Sequence, residues 1–205
     1  MDDLYAIEER LYRKGYYYIA GCDEAGRGPM AGPLFAAAVI LPPGYRLAKL
    51  NDSKKVSPGI REKLYNIIIQ DAIEIQTSII DVEEVDRINV YQASKKAMSQ
   101  CINAFETQVQ YVLADAMPLD LDVECLSIIK GDQKAASIAA ASIIAKVERD
   151  HYMIAMDCVY PQYGFAKHKG YVTKYHLEML DKHGPSPLHR RSFAPVQKVL
   201  YNYSR

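Results

Sequence analysis

Tyr18-Ile19-Ala20-Gly21-Cys22-Asp23-Glu24-Ala25-Gly26-Arg27-Gly28-Pro29 carries an apolar strand straight into two adjacent carboxylates and then into a glycine-arginine-glycine turn. Acids at the end of a buried strand are costly unless a cation sits on them, because desolvation disfavours an unpaired carboxylate. A hard divalent ion is the natural partner, since Mg²⁺ favours carboxylate oxygens and keeps waters for chemistry. The glycines let backbone N–H groups approach a ligand with no Cβ in the way. Metal, exposed amides and an arginine together point to phosphate chemistry. In a regular strand Asp23 and Glu24 face opposite sides. A shared ion therefore requires the strand to break at Glu24, which Gly26 and Gly28 make easy.

Working outward, Tyr16 to Gly21 and Leu34 to Leu41 read as two apolar strands joined by a turn, an antiparallel pair. Ser57-Pro58 opens a helix, with serine as N-cap and proline in the first position. Its Ile60, Leu64, Ile67 and Ile68 fall on one stripe. Ile73 to Ile80 alternates as a third strand, and Asp81 with Glu84 forms a capping box for a short helix. From Asn89 to about Phe105 a longer helix turns Tyr91, Met98 and Ile102 to the core. Tyr111-Val112-Leu113-Ala114 and Cys125 to Ile129 are short strands, ending at Asp115 and at Lys130-Gly131-Asp132. Ala135 to about Cys158 makes a long central helix, its first half rich in small residues that allow close approach to a sheet. Thr173 to His183 is a further helix, stopped by Gly184 and Pro185. The elements predict an α/β protein, a mixed β-sheet flanked by helices with a C-terminal helical region from about 160 to 205. No linker or repeat interrupts it, so 1–205 is expected to be a single domain.

Asp23, Glu24, Asp115 and Asp132 all lie at or just after the C-terminal end of an apolar strand, and such ends gather on one rim where ligands commonly sit. Each acid has a plainer reading. Asp132 precedes a helix, where an N-cap is the commoner role; Asp115 could start a turn; Glu24 could pair with Arg27. The joint pattern is harder to dismiss than any single member. Asp150 reads as a structural ion-pair partner, His168 and His176 as residues meeting phosphate or solvent, and Ala140-Ala141-Ser142 as packing.

Formal charge is zero, but residues 1–129 hold 13 Lys/Arg against 19 Asp/Glu, whereas 130–205 hold 12 against 6 and all five histidines. An acidic centre facing a basic surface suits a phosphate backbone. Cys22, Cys101, Cys125 and Cys158 form no CxxC pair, which argues for reduced thiols rather than disulfides or zinc. No apolar run approaches the ~18 residues of a membrane span, and Met1-Asp2-Asp3 does not read as a signal peptide, so a cytoplasmic protein is expected.

These residues resemble ribonuclease HII. The resemblance is carried by Asp23 to Pro29, Asn51-Asp52-Ser53-Lys54-Lys55, Lys130-Gly131-Asp132, Ile138 to Val147, Lys167-His168-Lys169-Gly170-Tyr171 and Gly184 to Phe193, in order along nearly the whole chain. It implies a ribonuclease H-like fold and an endonuclease that cuts RNA in RNA–DNA hybrids. It also implies incision 5′ of a single ribonucleotide in duplex DNA, leaving 3′-hydroxyl and 5′-phosphate ends. By resemblance, Asp23, Glu24, Asp115 and Asp132 bind two Mg²⁺ or Mn²⁺ ions, Gly26, Arg27 and Gly28 read the 2′-hydroxyl, and Tyr171 stacks at the RNA–DNA junction. Ribonuclease HIII resembles the same set but usually lacks the arginine between the glycines and carries an extra N-terminal domain. Arg27 and the short lead before the first strand favour ribonuclease HII.

Read from chemistry, paired ions would activate water and stabilise the leaving oxygen, so no side-chain nucleophile is needed. Lys54, Lys167, Lys169 and Lys174 are expected to hold the nucleic-acid backbone. The expected partners are RNA–DNA hybrid and ribonucleotide-containing duplex DNA, with no membrane and a monomeric chain. A noncatalytic nucleic-acid-binding module and a carboxylate-metal exonuclease are the readings from other classes.

Overall fold

The structure is a computed structural model and describes residues 3–203. Its elements follow in chain order: α1 (Ala6–Arg13), β1 (Ile19–Ala25), β2 (Leu34–Ile40), α2 (Pro58–Asp71), β3 (Glu74–Ile80), α3 (Val82–Asn103), β4 (Tyr111–Asp115) and β5 (Cys125–Ile128). A 3₁₀ turn at Gly131–Gln133 leads into α4 (Ala136–Val159), α5 (Phe165–His168), α6 (Lys174–His183) and α7 (Ala194–Tyr203). The sheet order is β3-β2-β1-β4-β5. β1 and β2, and β2 and β3, pair antiparallel; β4 lies parallel to both β1 and β5. This is the mixed, helix-flanked sheet the sequence predicts.

Both faces are covered. On one, Ala20, Cys22, Ala36 and Ala38 pack with Ala93, Ala97, Met98 and Cys101 of α3. On the other, Ala37 and Val39 meet Ala136, Ala140 and Ile143 of α4. Small residues bring α4 against the sheet so closely that a Cβ on Gly21 would lie 2.2 Å from the Ser137 carbonyl carbon.

Several local expectations are corrected. β1 does not break at Glu24; it continues to Ala25, with Asp23 opposite Ala37 and Glu24 opposite Ala36. Ile67 is exposed, and the buried stripe of α2 is Arg61, Leu64 and Ile68. Tyr91 is likewise exposed. The short and long helices predicted around Asn89 form one element with a break there, at φ 68° and ψ 163°. Asp81 accepts from the Glu84 N–H, but Glu84 answers Arg87 and Lys96 rather than closing the box. Ser57 begins α2 without a side-chain cap bond.

Candidate active site

β1, β4 and β5 run the same way, so their C-terminal ends share a rim. The β1–β4 ladder ends at Cys22 opposite Ala114, and beyond it the strands no longer bond to each other. Asp23, Glu24 and Asp115 stand where that seam opens. Alternation sends Asp23 toward α4, beside Ser142, and Glu24 toward the α3 side. Both carboxylates still lie in the field of Asp115 across the seam. A regular strand thus serves where a break was expected.

Asp132 follows the C-terminal end of β5 by four residues. Lys130 takes the left-handed conformation (φ 57°), and the Gly131 N–H donates to Asp115 Oδ1 at 2.6 Å, folding Asp132 back to the rim. Its N-cap reading does not hold. The first turn of α4 is served by Glu8 of α1, whose Oε1 accepts from the Ser137 N–H and hydroxyl at 2.8 Å. A distant carboxylate satisfies the orphan donors at the helix start, and Asp132 is left to the acid cluster.

Burial raises all four carboxyls. Asp23 is pushed well above the usual carboxylate range, first by burial and then by Glu24 and Asp115. Burial lifts Glu24 against the pull of Arg27, and lifts Asp115 against the Gly131 N–H and Lys54. Asp132 is pushed up to about 6 by burial, Asp52 and Asp115. The predicted Glu24–Arg27 pair exists at 3.4 Å, yet Glu24 Oε2 is buried with no partner. An orphaned buried carboxylate oxygen beside three more acids fits a hard divalent cation, which favours oxygen donors. Among the described residues no three such side chains are drawn tightly enough to ligate one ion as they stand, as expected of carboxylates that repel one another.

Asp52 was not singled out from the sequence as a site residue. It is buried, its Oδ1 accepts from the Lys54 N–H at 2.8 Å, its Oδ2 accepts from Gln133 Nε2 at 3.4 Å, and its charge lies in the field of Asp132. Its only sequence signal was its place in the Asn51 to Lys55 block. Ser142 also corrects an expectation: it bonds the Asp23 carboxylate and Ser53 Oγ, so that residue of the Ala140-Ala141-Ser142 run touches the site. Lys54 is held protonated, burial opposing and Asp23, Asp52 and Asp132 prevailing.

The turn Gly26-Arg27-Gly28 follows β1 directly, with Arg27 and Gly28 exposed. A Cβ on Gly28 would sit 3.6 Å from the Tyr171 ring, so turn and tyrosine adjoin. Tyr171 is 41 % exposed, with Lys146 Nζ 5.8 Å from its ring centroid. Lys167 and Lys174 project into solvent, and Lys169 Nζ donates to the Ala166 carbonyl. Asp150 is the structural partner expected, bound to Lys146 and Arg61. His176 is buried, against the expectation that it meets solvent, and His168 is half-buried. Their rings stack at 4.1 Å, His176 bonds the Tyr171 carbonyl and His189, and His168 bonds the Tyr163 carbonyl. The histidines brace the turn that carries Tyr171.

The family model described as ribonuclease HII matches residues 20–196. The chain is 53% identical to the ribonuclease HII of Bacillus licheniformis over 94% of its own length and 75% of that protein. It is 50% identical to that of Acholeplasma laidlawii over 97% and 98%. Among solved structures it is similar to ribonuclease H2 of Pyrococcus horikoshii, with TM-score 0.79 and 25% identity over 91% of this chain and 99% of that one. Bst-RNase HIII in complex with Mn²⁺ shares the fold, at TM-score 0.66 and 18% identity over 91% and 70%.

Proposed function

The chain belongs to the ribonuclease HII family, a ribonuclease H-type endoribonuclease, and from that premise we propose that it incises duplex DNA on the 5′ side of single embedded ribonucleotides. RNA strands of RNA–DNA hybrids are cut by the same site, leaving 3′-hydroxyl and 5′-phosphate ends. The observation that carries this reading is the convergence of Asp23, Glu24, Asp115 and Asp132 beside the exposed Gly26-Arg27-Gly28 turn.

Those four carboxylates would hold two Mg²⁺ or Mn²⁺ ions, which when bound supply a nucleophilic water and charge stabilisation for the leaving oxygen. Asp23, in the field of both Glu24 and Asp115, would be a ligand among them. The Gly131 N–H would orient Asp115 from behind, as outer partners of metal ligands do. Lys54 places a cation at the rim for a backbone phosphate.

Selectivity comes from the turn. RNA differs locally from DNA by a 2′-hydroxyl, both donor and acceptor. Backbone groups of Gly26, Arg27 and Gly28 would meet both, and a site built to bond a hydroxyl rejects the analogue lacking it by about 10⁴-fold. Tyr171 closes the turn from the far side and stacks on the adjoining sugar or base. The unit acts as a monomer spanning 1–205.

The test is a closed circular DNA duplex carrying one ribonucleotide. We expect a nick with Mg²⁺ or Mn²⁺, none with chelator, and an untouched all-DNA circle. A circle left closed with either metal, or an all-DNA circle nicked equally, overturns the reading.

A further inference from the structure

Two arginines, Arg149 and Arg190, are the bulkiest fully buried side chains, at 1% and 0% exposure. Neither forms an ion pair with a carboxylate among the described residues. A buried charge is tolerated only when its donors are satisfied, and here backbone carbonyls do this. Arg149 reaches the carbonyls of Ala31, Pro33 and Lys169 at 2.9 to 3.1 Å. Arg190 reaches Gly26 at 2.6 Å, Gly32 at 2.8 Å and Arg27 at 3.3 Å. The loop from Gly26 to Pro33 is thus fastened from beneath by two guanidinium forks.

The Arg190 contacts fix a direction. In a trans peptide unit the C=O of one residue and the N–H of the next point oppositely, and among the described residues no peptide is cis. With the Gly26 and Arg27 carbonyls drawn inward to Arg190, the N–H groups of Arg27 and Gly28 are aimed outward. Both residues are exposed, and neither amide donates to an acceptor among the described residues. We infer that Arg190 is a positioning residue for substrate selection: by holding two carbonyls of the turn it points two amides at the 2′-oxygen. Only the planar fork suits this task, because an ammonium cannot span several carbonyls in fixed directions. Arg149 fastens the far end of the loop and the Lys169 carbonyl, keeping the Tyr171 turn in place alongside.

This inference rests on the hydroxyl-reading turn proposed above, and the experiment separates the two. Asp23→Asn is used as a catalytically silent background, and fluorescence polarisation measures its affinity for two duplexes differing by one 2′-hydroxyl. A bonded hydroxyl should favour the ribonucleotide duplex by ten-fold or more. In Asp23→Asn/Arg190→Lys the preference should collapse to within about two-fold, with affinity for the all-DNA duplex unchanged. A loss of folded protein alone scales both affinities and leaves their ratio intact. If lysine does not support folding, Arg190→Ala in the same background, supplied with guanidinium at tens of millimolar, should regain the preference as the ion fills the vacated fork. An undiminished preference in the Arg190 variants overturns the positioning role while leaving the turn's reading standing. No preference in Asp23→Asn itself overturns the hydroxyl-reading turn, and the role of Arg190 with it.

Discussion

Asp23 carries a heavy electrostatic burden: it is buried, next to Glu24 and across a seam from Asp115. Such a residue is retained for what it binds, since unneutralised it weakens the fold. Asp23→Asn and Glu24→Gln should each lower metal-dependent cleavage by about 10³-fold or more, while the melting temperature without metal holds or rises as repulsion is relieved. Cleavage within ten-fold of wild type would remove the acid from the site. Tyr171→Ala should impair incision at a single ribonucleotide more than cutting within a long RNA tract, because only the former presents one fixed junction. Equal losses in steady-state cleavage of the two substrates would reduce Tyr171 to packing. Asp23, Glu24 and Asp115 were legible in the sequence because an apolar strand runs into each. Asp132 was ambiguous, since a helix follows it; at that helix start it is Glu8, distant in sequence, that meets the free backbone donor. Asp52, Arg149 and Arg190 were illegible in isolation. Their partners lie far away in sequence, or are backbone carbonyls that no residue pattern announces.

β1 and α4 set the position of the rim, and their approach is limited by Gly21. Its absent side chain leaves room for the Ser137–Ile138 backbone at 2.2 and 2.3 Å from a would-be Cβ. Gly21→Ala must push rigid backbone aside, and should cost about 3 kcal/mol in urea denaturation, the upper range of overpacking; a cost under ~1 kcal/mol would show the packing to be loose. The α5–α6 connection is braced instead by histidines. Burial holds His176 down to about 4 and His189 down to about 3, each aided by a neighbouring histidine. Unfolded histidines titrate near 6.5. Between those values the unfolded chain binds more protons, so this stabilisation is complete above about pH 6.5 and is lost as pH falls toward 4. The raised acids act with the opposite sign, so a comparison isolates the histidines. The melting temperature of His176→Gln should fall less between pH 7 and 4.5 than that of wild type. An equal fall would remove His176 as a source of acid sensitivity. At this scale the strands and the central helix were readable from apolar runs and turn residues. Amphipathic stripes misplaced Ile67 and Tyr91 because period alone cannot tell which flank of a helix meets the sheet. The break at Glu24 was not needed, because it is the end of the β1–β4 ladder that opens the cleft.

Across the whole molecule, the acidic first two-thirds builds the rim and the basic remainder supplies the tail that ties it down. Gly32 donates to the Leu188 carbonyl, Arg190 to that of Met30, and Ala31 bridges to His189. The C-terminal region is therefore part of the site's scaffold as well as a cover, which charge counting alone did not foretell. Among the described residues no helix is long and apolar enough to cross a membrane. The central claim is that one rim joins metal-dependent cleavage to recognition of a single 2′-hydroxyl. It is tested most directly by end-mapping of a labelled linear DNA duplex containing one ribonucleotide, with Mg²⁺ and with chelator, beside the all-DNA duplex. The account predicts one metal-dependent cut, immediately 5′ of the ribonucleotide, with a 3′-hydroxyl on the upstream fragment and the control intact. Cleavage that persists in chelator, falls elsewhere, or spares this duplex while cutting long RNA–DNA hybrid would contradict it.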